Sequence, residues 1–343
     1  MPTAQEHPAA AAWTPEPPPP PQRRLAPGLI AGLIALLLVF GMIGVVAARQ
    51  RGGAGVGAGS PEAAAGGLLG ALDRDTLDAE AIDRAARYLT GEERLLVTTY
   101  ADRIARLAAQ PPAGRDAFWL AGFGAHDVRF QRVDGSDDVA VLEAVSGTVS
   151  VRANGARLEL SLDEARRRLA EQTHSRVTSL RVVTVRSGGR WYVALLPTAL
   201  EWSRLAAAGG SADYARLSAA ATPGASSPEA AVRALLAALD QPPTEIAARL
   251  APGERNAFDA YLPSVPAAAA AEGFLGLQTL DRRMVGSVTG AERVADGVVS
   301  VHLGGGQAQP ADIIAVRREG TWYPSMVFTL ADLTLTRAEL EHS

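Results

Sequence analysis

The chain has 343 residues, 48% hydrophobic and 20% charged, a globular balance with room for two ordinary domains once its tails are set aside. Its formal net charge of −4 carries no basic signature of nucleic-acid binding. The absence of cysteine excludes disulfides, thiolate catalysis and cysteine-ligated zinc, so stability must come from packing.

In chain order, residues 1–27 end in PEPPPPPQRRLAP, whose consecutive prolines lack backbone donors and predict an extended, disordered tail. Residues 28–48, GLIAGLIALLLVFGMIGVVAA, hold no charge and match the thickness of a bilayer's hydrocarbon core, which predicts a transmembrane helix. The long leader, the long apolar run and the arginines that follow it (Arg49, Arg51) argue for an uncleaved anchor over a signal peptide. Large domains translocate largely regardless of charge, so the expected arrangement is a single-pass protein of the cell membrane, with its N-terminus cytoplasmic and its C-terminal part outside. Residues 49–59 read as a Gly/Ala linker; the GVGAGS within it follows no strand, so it is a tether and not a phosphate loop.

The rest of the chain is written twice. SPEAAAGGLLGALDR begins at Ser60 and SPEAAVRALLAALDQ at Ser227. In each, Ser can cap a helix, Pro suits its first position, Glu favours the positive end of the dipole, and leucines fall on one face. The matching leucines are Leu68, Leu69 and Leu72, then Leu235, Leu236 and Leu239. YLTGEERLLVTTY (88–100) aligns without gaps to RLAPGERNAFDAY (249–261), pairing Glu93 with Glu254, Arg94 with Arg255 and Tyr100 with Tyr261. SGGRWYVALLPT (187–198) resembles REGTWYPSMVFT (318–329), with Gly-x-Trp-Tyr reading as a hairpin turn entering a strand. Strands are expected at 139–153, 156–160 and 176–186 in the first copy, and at 278–291, 292–304 and 309–318 in the second. Asn154-Gly155 and Asp296-Gly297 are the expected turns. A helix at 160–172 is an insertion without a second-copy equivalent, and a further helix is expected from Ala199.

Helices followed by an antiparallel meander predict an α+β fold. These blocks resemble the NTF2-like superfamily, closest to the DUF4878 and lumazine-binding-like domains of actinobacterial single-pass membrane proteins. The resemblance implies two tandem cone domains, each with helices packed on a curved antiparallel sheet, at residues 60–205 and 227–343. Residues 206–226 are the expected linker between them.

Catalytic patterns are missing from the sequence: the five histidines form no ligand spacing, and no nucleophile elbow or phosphate loop occurs. His126 and His302 read as structural or exposed; Asp127, Asp138, Asp281 and Asp312 read as solvated surface. Arg166, Arg167 and Arg168 read as a solvated helix face with local ion pairs. Tyr100, Tyr261, Trp191 and Trp322 are the candidates for the wall of a ligand pocket, although core packing also accounts for them. Of each Trp-Tyr pair, one ring is expected in the core and the other toward a pocket or partner. The expected function is a membrane-anchored envelope protein without cofactor or metal. It would bind a protein partner or a small apolar ligand outside the bilayer that residues 28–48 enter. The alternatives are an isomerase-like enzyme using one cone as its active site, and a scaffold subunit of an envelope complex.

Overall fold

The computed structural model describes residues 56–73, 79–109, 120–153, 156–173, 179–219, 224–264, 287–304 and 311–342. The expected tail, the expected membrane span, residues 49–55 of the linker, the Asn154-Gly155 turn, Asp281 and residues 278–286 lie outside them. Among the described residues no helix is long and apolar enough to cross a membrane.

The fold is α+β, with two antiparallel sheets. Its first half runs α1 (Pro61–Leu72), α2 (Ala79–Ala86), α3 (Gly91–Ala109), β1 (Leu120–Ser136), β2 (Val139–Ala153), β3 (Ala156–Ser161), α4 (Leu162–Thr173), β4 (Arg181–Ser187), β5 (Arg190–Ala194) and α5 (Leu195–Ala206). A 3₁₀ turn at Tyr214–Ser218 follows. The second half runs α6 (Pro228–Ala237), α7 (Pro243–Ala247), α8 (Pro252–Tyr261), β6 (Ser287–Ala295), β7 (Val298–Gly304), β8 (Ala311–Arg318), β9 (Thr321–Pro324) and α9 (Met326–His342). The first sheet has the order β1-β2-β4-β5, with β3 also paired to β2; the second has β6-β7-β8-β9.

The local chemistry of the repeated blocks recurs in both halves. Ser60 Oγ accepts from the Ala63 amide at 3.1 Å and Ser227 Oγ from the Ala230 amide at 3.2 Å, each satisfying an orphan donor of its helix. The turns before the Trp-Tyr strands place both central residues at positive φ, Gly188-Gly189 at 55° and 76° and Glu319-Gly320 at 48° and 86°, the backbone a two-residue hairpin requires. Trp191 and Ala58 exchange two backbone hydrogen bonds of 2.9 Å, and so do Trp322 and Ala225. Thr198 Oγ1 accepts from the Val183 amide at 2.9 Å, and Thr329 Oγ1 from the Ile314 amide at 3.0 Å.

Several boundaries differ from expectation. The strand expected from residue 292 is cut by the Asp296-Gly297 turn, so Glu292–Ala295 belong to β6. The helix expected at 160–172 starts at Leu162, and the one expected from Ala199 starts at Leu195. β1 and α9 are among the elements that had no expectation. β1 is an edge strand exposed at most positions from His126 to Asp134, so it shows no apolar alternation. On α9, Phe328, Ala331 and Leu335 turn to the core while Leu330, Leu333 and Leu340 turn outward, which erases a one-sided stripe.

The core crosses between halves. Leu96, Tyr100 and Ile104 of α3 share a cluster with Val298, Ile314 and Val316 of the second sheet. Reciprocally, Ala257, Phe258 and Tyr261 of α8 share a cluster with Val139, Val141 and Val183 of the first. Each half therefore contributes a helix to a core that residues of the other's sheet also enter. Tyr261→Ala is expected to cost about 3–5 kcal/mol through cavity formation. Because the cores are shared, urea unfolding should follow one transition by far-UV circular dichroism and by tryptophan fluorescence. Two separated transitions would show that the halves are independent.

Candidate functional site

The four expected pocket residues are divided among three cores, with Tyr261 and Trp322 at the same one. Tyr100 is 1% exposed, tilted against Phe328 with ring centroids 6.0 Å apart and with the Arg103 guanidinium 5.8 Å over its ring. Tyr261 is 0% exposed, edge-on to Tyr214 at 6.1 Å. Neither hydroxyl makes a hydrogen bond of ordinary geometry. Burial, and next the negative charge of Asp332 or Glu201, pushes their pKa values up. Trp191 is buried in a third cluster, with α1 and α2, while Trp322 is half-buried against the cluster that holds Tyr261. Its neighbour Tyr323 is buried beside Tyr100's cluster, and Tyr192 is half-buried. Tyr100, Tyr261 and Trp191 are thus divided among three cores.

The start of α3 meets the start of α8 in a polar junction, half-buried at Glu92 and buried at Glu93 and Glu254. Both carboxylate oxygens of Glu92 accept from the Gly253 amide at 3.0 Å, with Arg318 Nε at 3.9 Å. Its neighbour Glu93 accepts from the Leu196 amide and the Thr90 hydroxyl, each at 2.8 Å, and so caps α5 from another helix. In the second half Glu254 caps α9, accepting from the Met326 amide at 2.8 Å, the Val327 amide at 3.2 Å and the Ser325 hydroxyl. Burial outweighs these donors, with the Glu92 charge adding to it, and the carboxyl of Glu93 is pushed up to about 7 and that of Glu254 to about 8. Burial also raises Glu92, against the opposing pull of Arg318.

A second polar assembly centres on Glu201, which is 0% exposed. It accepts from Arg181 at 2.8 Å, from Arg204 at 2.9 and 2.6 Å, and from the Tyr214 hydroxyl at 3.1 Å. Arg204 also donates to the Gly209 and Gly210 carbonyls, pinning the chain that leaves α5. The carboxylate's lone pairs are spent on neighbours, so its role is cross-linking. Arg166 makes the expected local ion pair, with Asp163 at 3.1 Å, but its face is not solvated: it also reaches back to the Ala144 carbonyl and lies 3.9 Å from Glu143, because α4 folds over β2. Arg167 does pair locally with Glu164, and the Arg168 side chain lies outside the description.

Two Asp–His pairs complete the candidates. Asp73, at the end of α1, lies 3.3 Å from His126 Nδ1. A Cβ added to Gly124 would fall 2.5 Å from Ser150 Oγ and 2.7 Å from Asp73 Oδ1, so only glycine permits these groups to gather there. In the second half, Asp312 Oδ1 lies 3.0 Å from His302 Nδ1 while its Oδ2 accepts from Ser300 Oγ at 3.0 Å. Asp312, expected as solvated surface, is therefore a two-handed bridge on the sheet. Sequence reasoning misses it because the β7–β8 register that sets His302 opposite Asp312 depends on the intervening connection. Among the described residues no group of three or more His, Cys, Asp or Glu is arranged to hold a metal. No family model, curated protein or solved structure matches the chain.

Both buried glutamates bind protons more tightly folded than unfolded, where the ordinary value is 4.5. Their stabilisation is present below that value and is lost as pH rises through about 7 and about 8. Thermal stability should decline between pH 5 and pH 8.5, by up to about 1.4 kcal/mol per pH unit for each group, and Glu254→Gln should flatten the slope. A scanning-calorimetry profile that is flat or rises over this range would contradict the assignment. Separately, Arg204→Ala should destabilise by about 3–5 kcal/mol in chemical denaturation, because it leaves Glu201 buried with half its partners.

Proposed function

We propose that this chain is a single-pass envelope protein, anchored through residues 28–48. Its two NTF2-like repeats would form one extracytoplasmic, non-catalytic unit that docks a protein partner on its outer surface. The observation carrying this reading is a difference between equivalent helices. On α5, Ala199 and Trp202 are 6% and 9% exposed; on α9 the residues at the same places, Leu330 and Leu333, are 41% and 52% exposed. Leu340, one turn from the end, is 72% exposed on the same side. Leucines at 330, 333 and 340 follow the spacing of a helix seam that receives another apolar surface. The interior offers less support for a small ligand or an isomerase-like site. The tyrosines that would face a cone are sunk in shared cores, and the buried Glu201 has its oxygens engaged.

A photo-crosslinking residue at position 333 of the full chain in native membranes tests the reading. The expected result is one discrete adduct with another envelope protein, lost on Leu330→Glu with no change in melting temperature. Labelling of lipid alone, or no adduct, would overturn partner docking. Protection of residues 56–342 from protease added outside intact cells would overturn the orientation.

A further inference from the structure

We infer that positions 92 and 253 decide which halves pair: a first half closes on a second half, and neither kind closes on its own kind. The contacts between halves are two-fold. Tyr100 of α3 lies within reach of the Asp332 charge on α9, and its equivalent Tyr261 of α8 within reach of Glu201 on α5, the residue equivalent to Asp332. α3 and α8 likewise enter cores that hold residues of the opposite sheet. Where a two-fold axis crosses an interface, a residue meets its own equivalent. The gap-free match of residues 88–100 with 249–261 makes Gly253 the equivalent of Glu92, and both Glu92 oxygens accept from the Gly253 amide at 3.0 Å. That contact marks the axis.

The two copies differ there in complementary ways. A Cβ on Gly253 would stand 2.5 Å from Glu92 Oε2 and 3.0 Å from its Cδ, so any side chain at 253 displaces the carboxylate from the amide. That amide follows Pro252 in the first turn of α8, where a helix leaves its donors without internal acceptors, and Glu92 supplies one from the opposite half. Charge is complementary as well. Arg318 Nε lies 3.9 Å from Glu92 Oε1, and Arg318 Nε and Nη2 are buried without a hydrogen bond among the described residues. The first-half equivalent of Arg318 is Ser187. Two first halves would therefore bring two Glu92 carboxylates to the axis, each kept from the other's amide by a side chain and neither facing an arginine. Two second halves would bring two Arg318 guanidinia to one junction with no carboxylate to receive them. The mixed pair alone joins acid, amide and guanidinium, and the like-charge pairs are selected against. The partner this surface fits is thus a second half, its own or that of another copy. Neighbouring copies are thereby kept from linking first half to first half and second half to second half, a pattern that does not close. Neither the α9 face nor the anchor enters this selection.

The test is a double-mutant cycle on the detergent-solubilised full chain, read as urea midpoints at pH 8. Gly253→Glu recreates the two facing carboxylates of a first–first pair, and Glu92→Gly leaves Arg318 unanswered as in a second–second pair. Each should lower the midpoint, although Gly253→Glu improves helix propensity at its own site. Gly253→Gln, with the same bulk and no charge, should lower it less than Gly253→Glu. The double variant Glu92→Gly with Gly253→Glu moves the acid across the axis and should recover at least half of the Gly253→Glu loss. Recovery stays incomplete because Ser187 stands where an arginine is needed. A double variant no more stable than Gly253→Glu would overturn the pairing role, and so would equal losses from the Glu and Gln substitutions. Should Gly253→Glu fail to fold, folding of the double variant and of Gly253→Gln would uphold the inference, and failure of all three would overturn it.

Discussion

The exchange of one helix between halves is the constraint on which the other features depend. Sheet faces carrying Val139, Val141 and Val183, or Val298, Ile314 and Val316, cannot stand in water, and each is buried in a core to which both halves contribute. α8 joins the core of the first and α3 that of the second. Joining the halves in one chain raises their effective concentration for each other, as a linker does for any pair of modules. It also frees the two copies to diverge, because each needs to fit only its partner and not a copy of itself. A strictly two-fold interface imposes self-complementarity on every change; a duplicated chain escapes that restriction.

The buried glutamates follow from how the last helices begin. α5 starts directly at the end of β5, and its first flanking residue, Ala194, has no side chain able to cap. An uncapped helix start leaves amide donors orphaned. Glu93 fills that need from 103 residues away, and Glu254 does the same for α9 from 72 residues away, each with support from a neighbouring hydroxyl. The same residues that cap the final helices sit at the first turns of α3 and α8, the helices exchanged between halves. The capping interaction thus ties the start of α3 to the start of α5, and the start of α8 to the start of α9. Placing Glu92 beside both caps and against Gly253 of the opposite half concentrates negative charge at the junction, and burial answers it by favouring the protonated state.

The helix starts were legible because their chemistry is local: Ser60 and Ser227 reveal their capping role within four residues. The Trp-Tyr hairpins were legible through Gly189 and Gly320, whose positive φ few other residues tolerate. The repeated Glu-Arg at 93–94 and 254–255 was visible as repetition, yet the task of Glu93 and Glu254 was not, since their partners are distant in sequence. β1 escaped notice because an edge strand exposed at most positions from His126 to Asp134 has no apolar period to read, and α9 because it is apolar on two sides. The candidate site suffered from the same limit. Tyr100 and Tyr261 were identifiable as equivalent, but which sheet each one meets is a property of the fold between halves.

Divergence between the halves shows where chemistry has been free to change. The Thr198–Val183 and Thr329–Ile314 hydrogen bonds fix the registration of β4 with β8. Two residues before Val183, Arg181 pairs across the strand with Glu143; two before Ile314, Asp312 pairs with His302. At one location the first half holds an ion pair that reaches the buried Glu201 and, through Arg204, the segment beyond α5. At the same location the second half holds a histidine steadied by a carboxylate and about one-third exposed. Exposure also diverges on the final helices, where Trp202 donates its Nε1–H to the Arg181 carbonyl while its equivalent, Leu333, lies half open. Both contrasts run in one direction. The first copy uses these positions to close itself, and the second leaves them accessible.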